Sequence, residues 1–358
     1  MEIDNEVKLY FDNKIKQVFV YVTNRCQLNC KQCLYKPLLD KTSSDLDYNT
    51  MIKLLKEFKK YGAYKISFLG GEPSIYYDKK NNKTLSDVIK SVKEIGYKYI
   101  RIDTNGQFNK SFLEDTNIKL LDEITFSLDG HDAKCNDIVR GKGSYDNAIN
   151  NIKYAVELGY NVQITCCIHS YTCKDQISGL ENIDSMIKFS ELLKINTINF
   201  HPILKVGVDR DSWIDNTDIN LDVWRDIYDV VIEKVLNNDY SVNVRLPMRG
   251  IEKDKVKLNK DKYFYCPVDM GERALIMPNN QIKVCAFTIG TDECVARFDS
   301  EKILWNINSN NETLKLGSLK EDELCYNQVI ESKKLIPLCM SYKPYQKEIV
   351  WEDIKLKK

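Results

Sequence analysis

The stretch VTNRCQLNCKQCLYKP, residues 22–37, carries Cys26, Cys30 and Cys33 within eight residues, directly behind the apolar run VFVYVT of residues 18–23. A strand that runs into three closely spaced thiols places soft metal ligands at one end of a sheet. Three thiolates leave a tetrahedral site one ligand short, and two chemistries use that vacancy. Zinc with three protein ligands and a water is a hydrolytic centre. Zinc sets, however, commonly pair CxxC knuckles or include His, and this chain has only 3 His. A [4Fe–4S] cluster on three thiolates instead leaves one iron open to an external chelating ligand.

Outward from that loop, strand-like and helix-like segments alternate. VFVYVT leads through the Cys loop to YNTMIKLLKEFKKYG; YKISFLG (64–70) leads to KTLSDVIKSVKEIGY; KYIRIDTNG (98–106) leads to NKSFLEDTNIKLLD. EITFSLDG (123–130) leads to GSYDNAINNIKYAVELGY, NVQITCCIH (161–169) to NIDSMIKFSELLK, and INTINFHPIL (195–204) completes the series. Gly62, Gly96 and Gly159 follow helices at the position where a left-handed residue ends them. Runs read as continuously apolar strands, alternating with helices, imply a parallel sheet covered by helices. The fold class expected is α/β: a partial (β/α)6 TIM-like barrel, six units being too few for a closed eight-stranded one. Four regions are expected: an N-terminal segment 1–17, the barrel 18–205, a linker with a helix 206–260, and an α+β extension 261–358.

The chain of 358 residues balances 52 Lys+Arg against 52 Asp+Glu. Such a balance gives no general attraction to nucleic acid or anionic membrane, and no apolar run is long enough to span a bilayer. The charged start MEIDNEVKLYFDNKIKQ is unlike a signal peptide, so the expected location is cytoplasmic. In a reducing compartment 12 Cys point to metal or redox chemistry rather than disulfides.

Polar or glycine motifs recur at successive strand ends, where sites on such scaffolds lie. GGEP (Gly70, Gly71, Glu72, Pro73) follows the second strand, and TNG with Asn105 the third. SLDG with Ser127 and Asp129 follows the fourth, then Arg140 in IVRG; Asn199 and His201 sit on the sixth. C-x3-C-x2-C, GGEP and SLDG…RG in this order resemble the radical S-adenosylmethionine (SAM) superfamily over residues 18–205. The resemblance implies a [4Fe–4S] cluster on Cys26, Cys30 and Cys33 whose open iron chelates the amino and carboxylate groups of SAM. Reductive cleavage would then give methionine and a 5′-deoxyadenosyl radical that takes hydrogen from substrate. It further implies that Gly70 and Gly71 allow close backbone approach and that the GGEP backbone accepts the methionine ammonium, with Glu72 fixing the loop. Asn105, Ser127 and Asp129 would serve ribose or carboxylate, and Arg140 would pair with the SAM carboxylate. In this family the residue before the third Cys is commonly aromatic; here it is Gln32, with Tyr35 as an alternative adenine contact.

In the second half, Cys266 and Cys285 flank a hairpin expected from RALIM, PNNQ and IKVCAF, with Cys294, Cys325 and Cys339 downstream. This resembles the SPASM/twitch extension of radical SAM enzymes and implies one auxiliary [4Fe–4S] cluster, with Cys266, Cys285 and Cys339 as ligands and the fourth position taken by Cys294 or Cys325 or left open. Buried apolar Cys is the alternative. Cys166 and Cys167 are adjacent on the fifth strand, so one faces inward and one toward the helices. Cys167, together with Cys135 and Cys173 read as loop residues at the mouth, is a candidate hydrogen donor to a substrate radical. Members with this extension mostly modify ribosomally made peptides, by crosslinking or epimerisation, so the expected substrate is a peptide (RiPP maturation). A small-molecule dehydrogenase or mutase is the second reading, and a non-enzymatic iron–sulfur scaffold the third. A flavodoxin- or ferredoxin-type electron donor is the implied partner.

Overall fold

The computed structural model describes residues 15–39, 45–203, 217–246, 248–252, 272–286, 289, 294–305 and 335–339. Six parallel strands lie side by side in chain order: β1 (Gln17–Thr23), β2 (Lys65–Gly70), β3 (Tyr99–Thr104), β4 (Glu123–Ser127), β5 (Val162–Ile168) and β6 (Thr197–Pro202). Each matches an expected strand to within a few residues. Helices α1 (Tyr48–Lys60), α2 (Leu85–Ile95), α3 (Ala133–Arg140), α4 (Ser144–Glu157), α5 (Gln176–Leu192) and α6 (Leu221–Leu236) complete the β/α units. The sheet stays open. Three-residue β7 (Asn243–Arg245) pairs parallel with β6, and β8 (Arg273–Ile276) pairs parallel with β1. Beyond β8, short antiparallel strands β9 (Gln281–Lys283), β10 (Ala296–Phe298) and β11 (Ile303–Trp305) extend the same sheet to 11 strands.

The expected hairpin is therefore present, with its turn at 277–280, and its first strand docks on the edge of the barrel. Among the described residues, no helix is long and apolar enough to cross a membrane.

One expectation about the strands needs correcting. Only β1, whose Phe19 and Tyr21 pack into a second cluster, is apolar on both faces; the others alternate. Val18, Val20, Ile66, Phe68, Ile100, Ile102, Ile124, Phe126, Ile164, Cys166, Ile198 and Phe200 form one fully buried core against the helices. The intervening positions are polar: Ser67, Arg101, Asp103, Glu123, Thr125, Gln163, Thr165, Thr197 and Asn199. The second face of these strands therefore carries largely buried polar groups, which line the interior of the open barrel.

Two helix expectations also change. Residues 109–122 do not form one helix: Asp115 Oδ1 accepts from Asn117 N at 2.8 Å and Ile118 N at 3.3 Å. That Asx turn splits the run into Ser111–Glu114 and Ile118–Leu120. Cys135 lies within α3, not in a loop, because Asp132 caps the helix by accepting from Cys135 N at 2.7 Å.

Candidate active site

The three-thiol loop is pinned from below by β2's following motif. Gly71 N donates to Thr23 O and Glu72 N to Arg25 O, each at 2.8 Å. A Cβ on Gly71 would stand 2.0 Å from the Arg25 carbonyl oxygen, and Gly70 holds φ +140° with Thr23 O at 2.4 Å from its own built Cβ. The close approach that GGEP permits is therefore to the residues just before Cys26, whereas the sequence placed the methionine end of SAM there. We expect Gly71→Ala to overpack this contact at a cost of roughly 1–3 kcal/mol. Reconstituted iron per chain should fall together with the melting temperature; wild-type values of both would show that the loops do not depend on each other.

Glu72 fixes the loop, as expected. Its carboxylate is fully buried and accepts from Thr104 Oγ1 (2.7 Å), Asn105 N (2.8 Å) and Ser74 N (3.1 Å), joining the ends of β2 and β3. Pro73 opens a short 3-10 turn behind it. Asn105 then reaches the cluster loop: its Nδ2 lies 3.5 Å from Cys26 Sγ, which also accepts from Leu28 N at 3.4 Å.

Cys30 and Cys33 stand over a buried charge pair. Cys30 Sγ is 4.0 Å from the Arg140 carbonyl. Asp129, with no exposed surface, forms an ion pair with Arg140 at 2.7 Å, accepts from Cys167 N at 2.7 Å, and is bonded by Gln32 Nε2. Asn136 Oδ1 in turn accepts from Asp129 N at 3.0 Å.

Asp129 and Arg140 are thus paired with each other, and their expected roles toward ribose and the SAM carboxylate stand as proposals. The Gln32 side chain supports Asp129 and so has a structural role that its sequence position hid. Tyr35 is likewise taken: its ring stacks on Tyr21 at 4.9 Å and its hydroxyl donates to Asn24.

The remaining candidates divide by depth. Cys166 is buried in the helix-side core, whereas Cys167, one residue on, is only partly buried on the lumen side. Asp129, Arg140, Cys30 and Cys33 all influence its thiol, although burial is the main cause of its raised pKa. Cys173 lies in the core at 3% exposure with its sulfur against Gly179, which removes it from the mouth where the sequence placed it. Cys135 is half-buried on α3. Ser127 ends β4, and Asn199 Nδ2 approaches Ile164 O at 3.4 Å. His201 is pushed down to about 4, first by burial and then by the Arg101 charge, so it is neutral at pH 7. Cys294 is buried before β10 and Cys285 partly buried after β9. Cys266 and Cys325, and the side chain of Cys339, lie outside the described residues.

Below the mouth the lumen floor is one polar network centred on Glu123. Its carboxylate accepts from Thr125 Oγ1 (2.8 Å), Gln163 Nε2 (2.7 Å) and Tyr99 OH, with Arg101 Nη1 at 3.6 Å. Arg101 also pairs with Asp103 at 2.9 Å, and Arg245 Nη1 lies 3.4 Å from Gln163 Oε1. The sequence reading missed this network, yet the signal was there in the alternate residues of YIRID, EITFS and VQITC.

The three loop thiols fit an iron–sulfur cluster. All are free and partly exposed. Among the described residues no three ligating side chains close on one point as a single ion requires, whereas a four-iron cluster assigns each thiolate its own iron. N–H donors already point at Cys26 sulfur, the kind of outer-shell contact that tunes such centres. Burial pushes Cys26 up to about 11 and Cys33 up to about 12, and raises Cys30. Without a cluster they are neutral thiols, and assembly must release their protons.

Comparison with known proteins agrees with this site. The profile described as the radical SAM superfamily matches residues 20–177. GTP 3′,8-cyclase of Vibrio parahaemolyticus is 27% identical over 197 residues, covering 51% of this chain and 57% of that protein. The mitochondrial GTP 3′,8-cyclase of Arabidopsis thaliana is 30% identical over 218 residues, covering 59% and 52%. The matches thus span little more than half the length of these relatives. Among solved structures, SuiB of Streptococcus suis bound to precursor peptide SuiA superposes with TM-score 0.63 at 19% identity, covering 83% of this chain and 66% of that one.

Proposed function

We propose that the protein, whose residues 20–177 match the radical SAM superfamily profile, holds a [4Fe–4S] cluster and SAM, cleaves SAM reductively and abstracts hydrogen from a small, polar substrate in the barrel lumen. Cys26, Cys30 and Cys33 would hold the cluster, which with SAM would supply one electron and a carbon radical strong enough to take hydrogen from an unactivated C–H bond. The protein's own part is positional. The Glu72 and Gly71 contacts set the height of the thiol loop over the lumen. The Asp129–Arg140 pair holds the α3 end beneath Cys30. The lumen residues would hold the substrate C–H bond within reach of that radical.

The observation that carries the small-molecule reading is the lumen floor. Arg101, Asp103, Glu123, Gln163 and neutral His201 make it a charged and hydrogen-bonding surface rather than an apolar pocket, which suits a polar small molecule better than an apolar peptide side chain. The curated relatives point the same way, being named for an action on GTP. The peptide substrate expected from the sequence draws no support from SuiB, since a likeness at 19% identity carries the fold alone. The extension with Cys285 and Cys294 remains our candidate auxiliary-cluster region, and Cys167, on the lumen side, the candidate hydrogen donor.

The test is an anaerobic assay with dithionite. GTP and a panel of small polar metabolites should raise 5′-deoxyadenosine formation at least about tenfold over the substrate-free rate, with deuterium moving from a labelled substrate into 5′-deoxyadenosine. Stimulation by precursor peptides but by no member of the panel would return the peptide reading.

A further inference from the structure

The polar groups of the lumen fall into two sets. The floor is closed on itself. Glu123 is bonded by Thr125, Gln163 and Tyr99, Gln163 Oε1 lies 3.4 Å from Arg245 Nη1, and Arg101 is shared between Asp103 and Glu123. The set above it is open. Parallel register puts Thr165 beside Asn199 and Cys167 beside His201 on β5 and β6, on the face opposite the core residues Ile164, Cys166, Ile198 and Phe200. Thr165 and His201 are half-buried and Asn199 is 8% exposed. Among the described residues, neither the Thr165 hydroxyl nor the His201 ring makes a hydrogen bond. Asn199 makes one, from Nδ2 to Ile164 O at 3.4 Å, which leaves its Oδ1 unpaired. On β3, Asp103 gives only Oδ2 to Arg101, at 2.9 and 3.2 Å, and its Oδ1 is unpaired. Unpaired polar atoms in a concave interior whose other groups are all bonded mark where a ligand bonds.

The chemistry of these atoms selects the ligand. The Thr165 hydroxyl and the imidazole each donate and accept, whereas Asn199 Oδ1 and Asp103 Oδ1 only accept. Burial and the Arg101 charge push His201 down to about 4, so the ring adds no positive charge at pH 7. The described cations around the lumen are engaged. Arg101 serves its two carboxylates and Arg245 serves Gln163, while Lys65 lies 5.9 Å over the Tyr99 ring and Arg273 6.0 Å over Phe19. A substrate carboxylate or phosphate would therefore meet acceptors rather than a free cation. An ammonium group would reach Asp103 only by standing beside Arg101, whose like charge opposes it. Hydroxyl groups fit both demands, since each donates to an acceptor oxygen and accepts from Thr165 or His201.

We propose that Asp103, Thr165, Asn199 and His201 form the substrate site, and that the substrate presents several adjacent hydroxyl groups to it, as a sugar or the ribose of a nucleoside does. The proposal rests on the small-molecule reading above and names the class of molecule that this site takes.

The test is equilibrium binding, by calorimetry, to the full chain reconstituted with its cluster and SAM. The probes are glucose with 2-deoxyglucose, guanosine with 2′,3′-dideoxyguanosine, and citrate and spermidine as charged molecules. Glucose or guanosine should bind at least about tenfold more tightly than its deoxy counterpart and than either charged probe. Which of the two pairs responds tells a free sugar from a nucleoside. Asn199→Ala and His201→Phe should each weaken that binding at least about tenfold, with iron content and melting temperature at wild-type values. Tighter binding of citrate or spermidine, or equal binding of the deoxy counterparts, overturns the hydroxyl assignment and leaves the small-molecule reading standing. Binding that both variants leave unchanged places the site elsewhere and overturns it too. Absence of binding by every probe also overturns the assignment, and if precursor peptides then raise 5′-deoxyadenosine formation, the small-molecule reading fails with it.

Discussion

Cys26→Ala, Cys30→Ala and Cys33→Ala should each reduce 5′-deoxyadenosine formation by more than about a thousandfold, to the level of SAM and reductant alone. Loss of an outer-shell contact to a metal ligand commonly costs about 10–100-fold, and loss of the ligand itself exceeds that. The three thiols stand in one loop between β1 and α1, outside every strand and helix of the barrel, so circular dichroism and melting temperature should change little. Asn105→Ala gives the graded control. It removes the Nδ2 donor 3.5 Å from Cys26 Sγ and should lower the rate by about 10–100-fold while keeping iron in place. The decisive measurement is iron content and 5′-deoxyadenosine on the same preparation. A folded Cys→Ala variant that kept wild-type turnover would show that the thiol is not a ligand.

The relation between these residues was only partly visible in the sequence. The six barrel strands could be read because each has a buried apolar face and is followed by a glycine or polar motif. The Cys loop, GGEP and Asp129 could be placed at strand ends for the same reason. Their mutual contacts could not. Gly71 looks like ligand space in sequence, yet the carbonyl 2.0 Å from its built Cβ belongs to Arg25, 46 positions away. Helix α3 was missed because HDAKCNDIVRG shows no apolar stripe; its buried residues are Asn136, Val139 and Arg140, two of them polar. They are buried because Asp129 and Ser144 satisfy them, a fact of tertiary structure. Strand β7, three residues long, is too short to show a period and owes its existence to the sheet edge it completes, and the parallel docking of β8 on β1 is likewise a fact of tertiary structure. Tyr35 reads as a possible adenine contact until Tyr21 is seen stacked against it.

Asp129 is where fold and site are coupled most strongly, and its removal should therefore have two effects. Asp129→Ala leaves the Arg140 guanidinium, 9% exposed, without its counter-charge, together with two donors, Cys167 N and Gln32 Nε2. Breaking a buried pair in this way costs roughly 3–5 kcal/mol, which for a domain of this size lowers the melting temperature by roughly 10 °C. Because Gln32 lies between Cys30 and Cys33, iron content should fall as well, unlike the outcome for a carboxylate that merely touched SAM. A double variant separates the two effects. Asp129→Leu with Arg140→Met replaces the pair by apolar groups of similar size, and such replacements are often neutral or stabilising. The melting temperature should then recover most of the loss. SAM cleavage should not recover, because Gln32 and the Cys167 amide still lack their acceptor and the thiol loop still lacks its support. Recovery of both properties would make the pair purely structural. If Asp129→Ala left melting temperature and iron at wild-type values while weakening SAM binding, the carboxylate would serve the ligand directly, as its place after the fourth strand first suggested.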